Sequence, residues 1–323
     1  YYNIIETAHI VSALNLEADR MRNLLLRKED LASEMVVVLN EYERGRNDPL
    51  RVLSADVWGT AFMVHPYHFD TIGIKEDIVS VTTEELREFY DLYYYPNNAT
   101  VSVIGDVDTA HVLTHIEQAF GGLASKSLPA SEIPVEPEQK GERRFVLKRS
   151  GTVEALAMGY RIPDGRHKDS PALLVLSALL SDGKGSLLHK ALVNANIATA
   201  ANVYPSRFYD PGLMEFSITL NGTSRHAEAE ALVKSEIQRV AMGSCDEKDL
   251  LRAKALVGTR ALSNLTSLGD YAHTLNEAIA LGDWTDALSI ATRIEGVSMD
   301  SVIRVAKQYL NDDSLTAGHL IAI

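Results

Sequence analysis

Apolar and polar positions along this chain switch repeatedly between a period of two and a period of 3.6, and the switches mark out its elements. Tyr1-Tyr2-Asn3-Ile4-Ile5 reads as a β-strand entered midway. Helical patterns come next over about 9–24 and 28–48, and Pro49 suits the first turn of another helix running to about 63. His65-Pro66-Tyr67-His68 is a loop. A helix over 83–94 opens at the capping-type residues Val81-Thr82-Thr83-Glu84-Glu85. Pro96-Asn97-Asn98 is a turn, 99–104 an alternating strand, and 108–120 a helix closed by Gly121-Gly122. Residues 123–142 are rich in Ser, Pro, Glu and Lys without any period, which predicts a linker. The pattern then restarts with strands at 143–149 and 154–162, an apolar helix at 171–180, a loop at Gly183-Lys184-Gly185 and a helix at 186–194. Strands near 198–208 and 213–220 lead to helices at 225–242, 247–265, 267–282, 285–294 and 298–310, and a final strand at 315–323.

The two halves look like diverged copies. Val81-Thr82-Thr83-Glu84-Glu85-Leu86, with its turn and strand, matches Val297-Ser298-Met299-Asp300-Ser301-Val302, with its own turn and strand, at a constant offset of 216. Lys28-Glu29-Asp30-Leu31 lies over Glu247-Lys248-Asp249-Leu250 in a second register. Carried forward, that register puts Ala253 under Glu34 and Arg260 under Glu41.

Composition narrows the picture little. The 323 residues allow two domains, each able to bury a core. A net charge of −13 argues against nucleic acid or an anionic membrane as the main partner, and no stretch reaches the length of a transmembrane helix. The single cysteine, Cys245, excludes an internal disulfide and a thiolate metal site.

Candidate chemistry centres on Glu34-Met-Val-Val-Val-Leu-Asn-Glu41. On a helix the two carboxylates are about 10.5 Å apart along the axis with roughly 20° of drift, so they share one stripe. Beside so much apolar surface they must be solvated, paired or bound to a metal. Asp30, Ser33, Asn40 and Arg44 extend the same stripe, which equally suits an ordinary solvated face. Four lesser candidates read as structural. His111 and His115 have zincin-like i, i+4 spacing but no glutamate between them. His65 and His68 shape a loop, Asp182-Gly183-Lys184-Gly185 lacks the full phosphate-loop pattern, and Tyr93-Tyr94-Tyr95 packs a helix end.

Taken in order, Glu34 and Glu41, Asn47-Asp48-Pro49, His65-Pro66-Tyr67, Gly73, and Tyr94-Tyr95-Pro96-Asn97-Asn98-Ala99-Thr100-Val101 through Gly105-Asp106-Val107 resemble the pitrilysin/insulinase family of inverzincin peptidases. Leu16-Glu17-Ala18-Asp19-Arg20-Met21, Gly159-Tyr160 and Tyr209-Asp210-Pro211-Gly212 extend the likeness over the whole chain. The resemblance implies a zinc metalloendopeptidase subunit acting on peptides or unfolded segments. By position Glu41 matches the family's glutamate ligand to zinc, and Glu34 the carboxylate that orients a ligand histidine. The His-x-x-Glu-His that supplies the other ligands occurs nowhere here. The chain is therefore expected to be part of a longer precursor whose N-terminal segment carries that motif, and by itself to bind no zinc and hydrolyse nothing. The positions of the Arg/Tyr pair with which many relatives hold substrate are taken by Val193 and Ala200. That resembles the bacterial two-chain members, in which a homologous partner subunit supplies the pair.

The fold expected is α+β, with two related metallopeptidase-like domains, each an antiparallel-rich sheet covered by helices. The first (1–122) is truncated at its N-terminus and holds Glu41, and the second (143–323) binds no metal. The alternative function is a non-catalytic scaffold or substrate-holding subunit of a peptidase-like complex. The compartment is unreadable, with a bacterial periplasm favoured over cytoplasm by resemblance only.

Overall fold

The structure, a computed structural model, describes residues 1–129 and 132–323, so positions 130 and 131 of the expected linker lie outside the described residues. The first half contributes α1 (Ile10–Asn23), α2 (Lys28–Asn47), α3 (Pro49–Ala61), α4 (Lys75–Ser80), α5 (Thr83–Tyr93) and α6 (Thr109–Phe120). The second contributes β1 (Arg143–Arg149), β2 (Ala155–Ile162), α7 (Ser170–Ser181), β3 (Ala198–Pro205), β4 (Gly212–Leu220), α8 (His226–Ala241), α9 (Glu247–Ser263), α10 (Leu268–Ala280), α11 (Asp286–Glu295), α12 (Met299–Tyr309) and β5 (Leu315–Ala322). The helix expected at 186–194 is shorter and wider, a π-helical turn at His189–Val193. Contacts divide the chain into two compact units, Tyr1–Glu43 with Ile72–Glu132 and Arg44–Thr71 with Ile133–Ile323. Packing thus places α3 and the loop after it with the second unit, whereas the expected boundaries follow chain order.

The second unit is a five-stranded mixed sheet in the order β1-β5-β2-β4-β3, antiparallel except for the β1/β5 pair. Its two faces are set by alternation along β2. Leu156, Met158, Tyr160 and Ile162 point into a core with α7, α8, α9, α11 and α12. Ala155, Ala157 and Gly159 point the other way and leave room for a helix to lie close. That helix is α3. Its Leu53, Val57 and Ala61 bury against Ala155, Ala157, Leu213 and Leu320. A Cβ on Gly159 would lie 2.9 Å from Val57 Cγ1, so the approach requires glycine. Asp48 caps α3 by accepting the N–H groups of Leu50 (2.9 Å) and Arg51 (3.3 Å), with Pro49 in the first turn. Glu215, on the α3 side of β4, accepts Ser54 Oγ and Trp58 Nε1, both at 2.9 Å.

The described part of the first unit is helical. The C-terminus of α1 is held by α5: Tyr90 Oη donates to Arg20 O at 2.8 Å, and Arg87 Nη2 donates to Leu24 O and Leu25 O, each at 2.8 Å. The strands expected at 1–5 and 99–104 are chain without regular secondary structure or a ladder. Their apolar residues favour pairing, but among the described residues no strand lies beside them.

The expected repeat is present in the boundaries of the elements. At the offset of 216, α5 falls on α12 end for end, and the 3₁₀ turn Pro96–Asn98 falls on Asp312–Ser314. Both helices begin with a capping box, Thr82 with Glu85 and Ser298 with Ser301. At the offset of 219, the start of α2 falls on the start of α9, and α3 falls on α10 at both ends.

Candidate metal-ligand helix

Glu34 and Glu41 both sit on α2 in the first unit, and both are exposed. Neither makes a hydrogen bond or ion pair among the described residues. The helix buries no residue, and Val36 and Val37 are more than half exposed. The two carboxylates are solvated, and much of the apolar run between them is open as well.

The repeat gives this stripe a direction. On α9 the counterparts of Leu31, Glu34 and Val38 are Leu250, Ala253 and Val257, and all three are buried in the core that includes α7 and α11. The counterpart of Glu41 is Arg260, whose Nη2 reaches Asp182 Oδ2 at 2.9 Å. Asp182 is the C-cap of α7. The stripe that carries the two glutamates is therefore the stripe that, in the second repeat, packs on α7. No helix equivalent to α7 occurs among the described residues of the first unit.

Zinc fits the residues present only in part. Among the described residues no group of three His, Cys, Asp or Glu side chains could hold a metal ion. One exposed carboxylate is not a metal site, since zinc in proteins takes three or four ligands. His111 and His115 do meet on α6, with ring centroids 4.4 Å apart, but no third ligand joins them among the described residues.

The remaining candidates are structural. His65 is buried, with Nδ1 accepting the Tyr67 N–H at 3.1 Å, so its Nε2 carries the proton and faces Asp210 Oδ2 at 3.3 Å. His68 Nδ1 lies 2.8 Å from Phe62 O, a carbonyl that can only accept. Gly183 has φ +74° in the turn after α7, and Ser186 Oγ donates to its carbonyl at 2.8 Å. Partial burial pushes the Cys245 thiol up, the direction that opposes thiolate formation. Val193 ends the π-helical turn against the core, and Ala200 lies on β3 opposite Thr219. Neither side chain offers a donor.

Three polar arrangements were not foreseen: the Glu215 clamp on α3, a network around Glu230, and Glu136 seated on backbone amides. The first had a legible signal, an acid in the otherwise apolar run Leu213-Met214-Glu215-Phe216.

This architecture, an α+β chain of repeated design with two exposed glutamates on one helix, is a metallopeptidase-like fold. The chain belongs to the peptidase M16 family, its residues 80–257 matching the model described as the peptidase M16 inactive domain. It is 30% identical over 326 residues to the zinc protease PqqE of Helicobacter pylori, covering 98% of this chain and 72% of that protein. The crystal structure of a protease from Helicobacter pylori superposes with a TM-score of 0.91 at 28% identity, over 97% of this chain and 76% of that one. A chain of complex III2 from Candida albicans shares the fold, with a TM-score of 0.85 at 16% identity over 98% of this chain and 78% of that one.

Proposed function

We propose that this chain is the part of a zinc metallopeptidase that supplies one metal ligand, Glu41, and one orienting carboxylate, Glu34, to a site completed by histidines outside it. The observation that supports this reading is the solvated stripe on α2 whose counterpart on α9 packs on α7. A histidine-bearing helix in the place of α7 would meet both glutamates from the same side. The expected substrates are peptides or unfolded segments. A homologous subunit would provide the substrate-holding Arg/Tyr pair, because Val193 and Ala200 cannot. No step of hydrolysis is assigned to the residues present, because they do not complete a metal site.

The test uses the full-length gene product. Zinc is expected at one equivalent per chain. Glu41→Gln should abolish its retention through dialysis, and Glu34→Gln should weaken zinc affinity by roughly 10- to 100-fold, as loss of an orienting partner does. Wild-type zinc content in Glu41→Gln would refute the assignment.

The second reading, a non-catalytic scaffold or substrate-holding subunit, is favoured by the match to an inactive domain. It expects a full-length protein that retains no zinc and a His-x-x-Glu-His with at least one histidine replaced.

A further inference from the structure

One carboxylate in the second unit is bound as a ligand would be. Glu136 Oε1 accepts the backbone N–H of Met63 at 2.8 Å, and Oε2 accepts those of Val64 and His65 at 2.9 and 3.0 Å. Three successive amides thus converge on one anion, an arrangement that can form an anion-binding concavity. The surroundings reinforce it. Arg161 is stacked on Phe62 with its guanidinium carbon 3.9 Å from the ring centroid, and contributes positive potential to Glu136. Burial pushes the Glu136 carboxyl up, but the three N–H groups and Arg161 outweigh it and hold it below the usual carboxylate range.

The carboxylate arrives on a segment that makes few other attachments. Of the described residues 132–140, all but Glu136 and Gln139 are exposed, and Gln139 is tied separately to Gly141 O and Leu315 O. The amides themselves lie on an open rim, with Met63 65% and Val64 48% exposed. The acceptor amides follow the end of α3, whereas their occupant is a side chain on an exposed strap.

We propose that the amides of Met63, Val64 and His65, backed by Arg161, form a binding site for peptide carboxylates, and that Glu136 is its tethered resident ligand. Tethering gives Glu136 an effective concentration on the millimolar scale, so free carboxylates enter only when the strap lifts. Backbone capture of this kind reads the charge and shape of a carboxylate and not the side chains around it. The inference is independent of the metal reading.

The test is chemical rescue in the whole chain. Glu136→Ala should lower Tm by roughly 2–4 °C. Sodium acetate, compared with sodium chloride at matched ionic strength, should restore at least half of that loss and leave wild type unmoved. Glu136→Gln keeps one carbonyl acceptor on the same stem. It should fall between the two and respond weakly to acetate, which guards against a misfolded alanine variant. The source of the carboxylate is then read from the ¹⁵N-Met63 amide shift of Glu136→Ala during titration with three peptides. These are N-acetyl-trialanine as free acid, the same peptide as C-terminal amide, and N-acetyl-Ala-Glu-Ala amide. A response to the free acid assigns the site to chain termini, and a response to the glutamate peptide assigns it to acidic side chains. Equal response to the neutral amide, absence of rescue by acetate, or equal response in wild type would each overturn the proposal.

Discussion

Glu230 shows what a single acid does where a helix meets a sheet edge. On α8 it accepts Arg144 Nη1 at 2.9 Å and His319 Nε2 at 3.1 Å, and Lys234 Nζ lies 3.5 Å away. Its side chain is only 9% exposed, while Arg144 is 43% exposed. Breaking a fully buried pair costs about 3–5 kcal/mol, and the open side of Arg144 reduces that. Glu230→Gln should therefore cost about 2 kcal/mol in urea denaturation at neutral pH. Burial pushes the Glu230 carboxyl up, but Arg144, His319 and Lys234 outweigh it and hold it far below the usual carboxylate range. A carboxyl depressed in the folded state contributes its full stability above its unfolded value, about 4.3, and loses it as pH falls through the folded value. The gap between wild type and Glu230→Gln should thus stay constant from neutral pH down to about 4.3 and narrow only in stronger acid. Closure of the gap just below neutrality would assign the effect to a different group.

At the scale of elements, the lying of α3 on the sheet turns on a pair of residues from different segments. Gly159 has no Cβ because Val57 Cγ1 occupies that space, with Leu213 Cδ1 at 3.0 Å on the other side. Gly159→Ala should destabilise by about 1–3 kcal/mol through overpacking, and Val57→Ala by a similar amount through the cavity it leaves. The two changes are complementary in volume, so the double variant should cost less than the sum of the single ones, by at least about 0.5 kcal/mol in a double-mutant cycle. Additive costs would mean that α3 and β2 relax independently. Much of this was legible beforehand. The large-small alternation on β2 is written in Leu156-Ala157-Met158-Gly159-Tyr160, and the Asp48-Pro49 start of α3 in capping chemistry. What could not be read was which sheet α3 would cover, because alternation states that a face is buried and not what buries it. The same limit explains 99–104. Its residues match β5 in pattern, and β5 has β1 and β2 beside it, whereas 99–104 has no neighbouring strand among the described residues. The glutamates were legible as a stripe from spacing alone. Their direction required the burial of Ala253 and the reach of Arg260 to Asp182, which only the folded chain displays.

For the molecule as a whole, the repeat makes α2 and α9 an internal control, two helices of common pattern in different surroundings. Leu250, Ala253 and Val257 anchor α9 in a continuous core, so its amides open only with the collapse of that core. The helix α2 buries nothing, and its ion pairs are exposed: Arg27 with Asp30, and Glu43 with Lys75. Such exposed pairs contribute little, and most helical stability in proteins comes from tertiary packing of a buried face. The apolar residues whose counterparts α9 buries in its core, Leu31 and Val38, are only partly buried on α2 among the described residues. Native-state hydrogen exchange should show amides within 28–43 exchanging through local opening, with protection at least about 100-fold below that of amides within 247–263, a difference of some 2.7 kcal/mol. In the full-length protein, the proposed histidine-bearing helix would cover the stripe, and protection of 28–43 should rise toward that of α9. Equal protection of the two helices in this chain would show that α2 already has a stabilising surface, and would remove the physical case for a missing partner. Weak protection that persists in the full-length protein would instead detach Glu34 and Glu41 from any buried metal site.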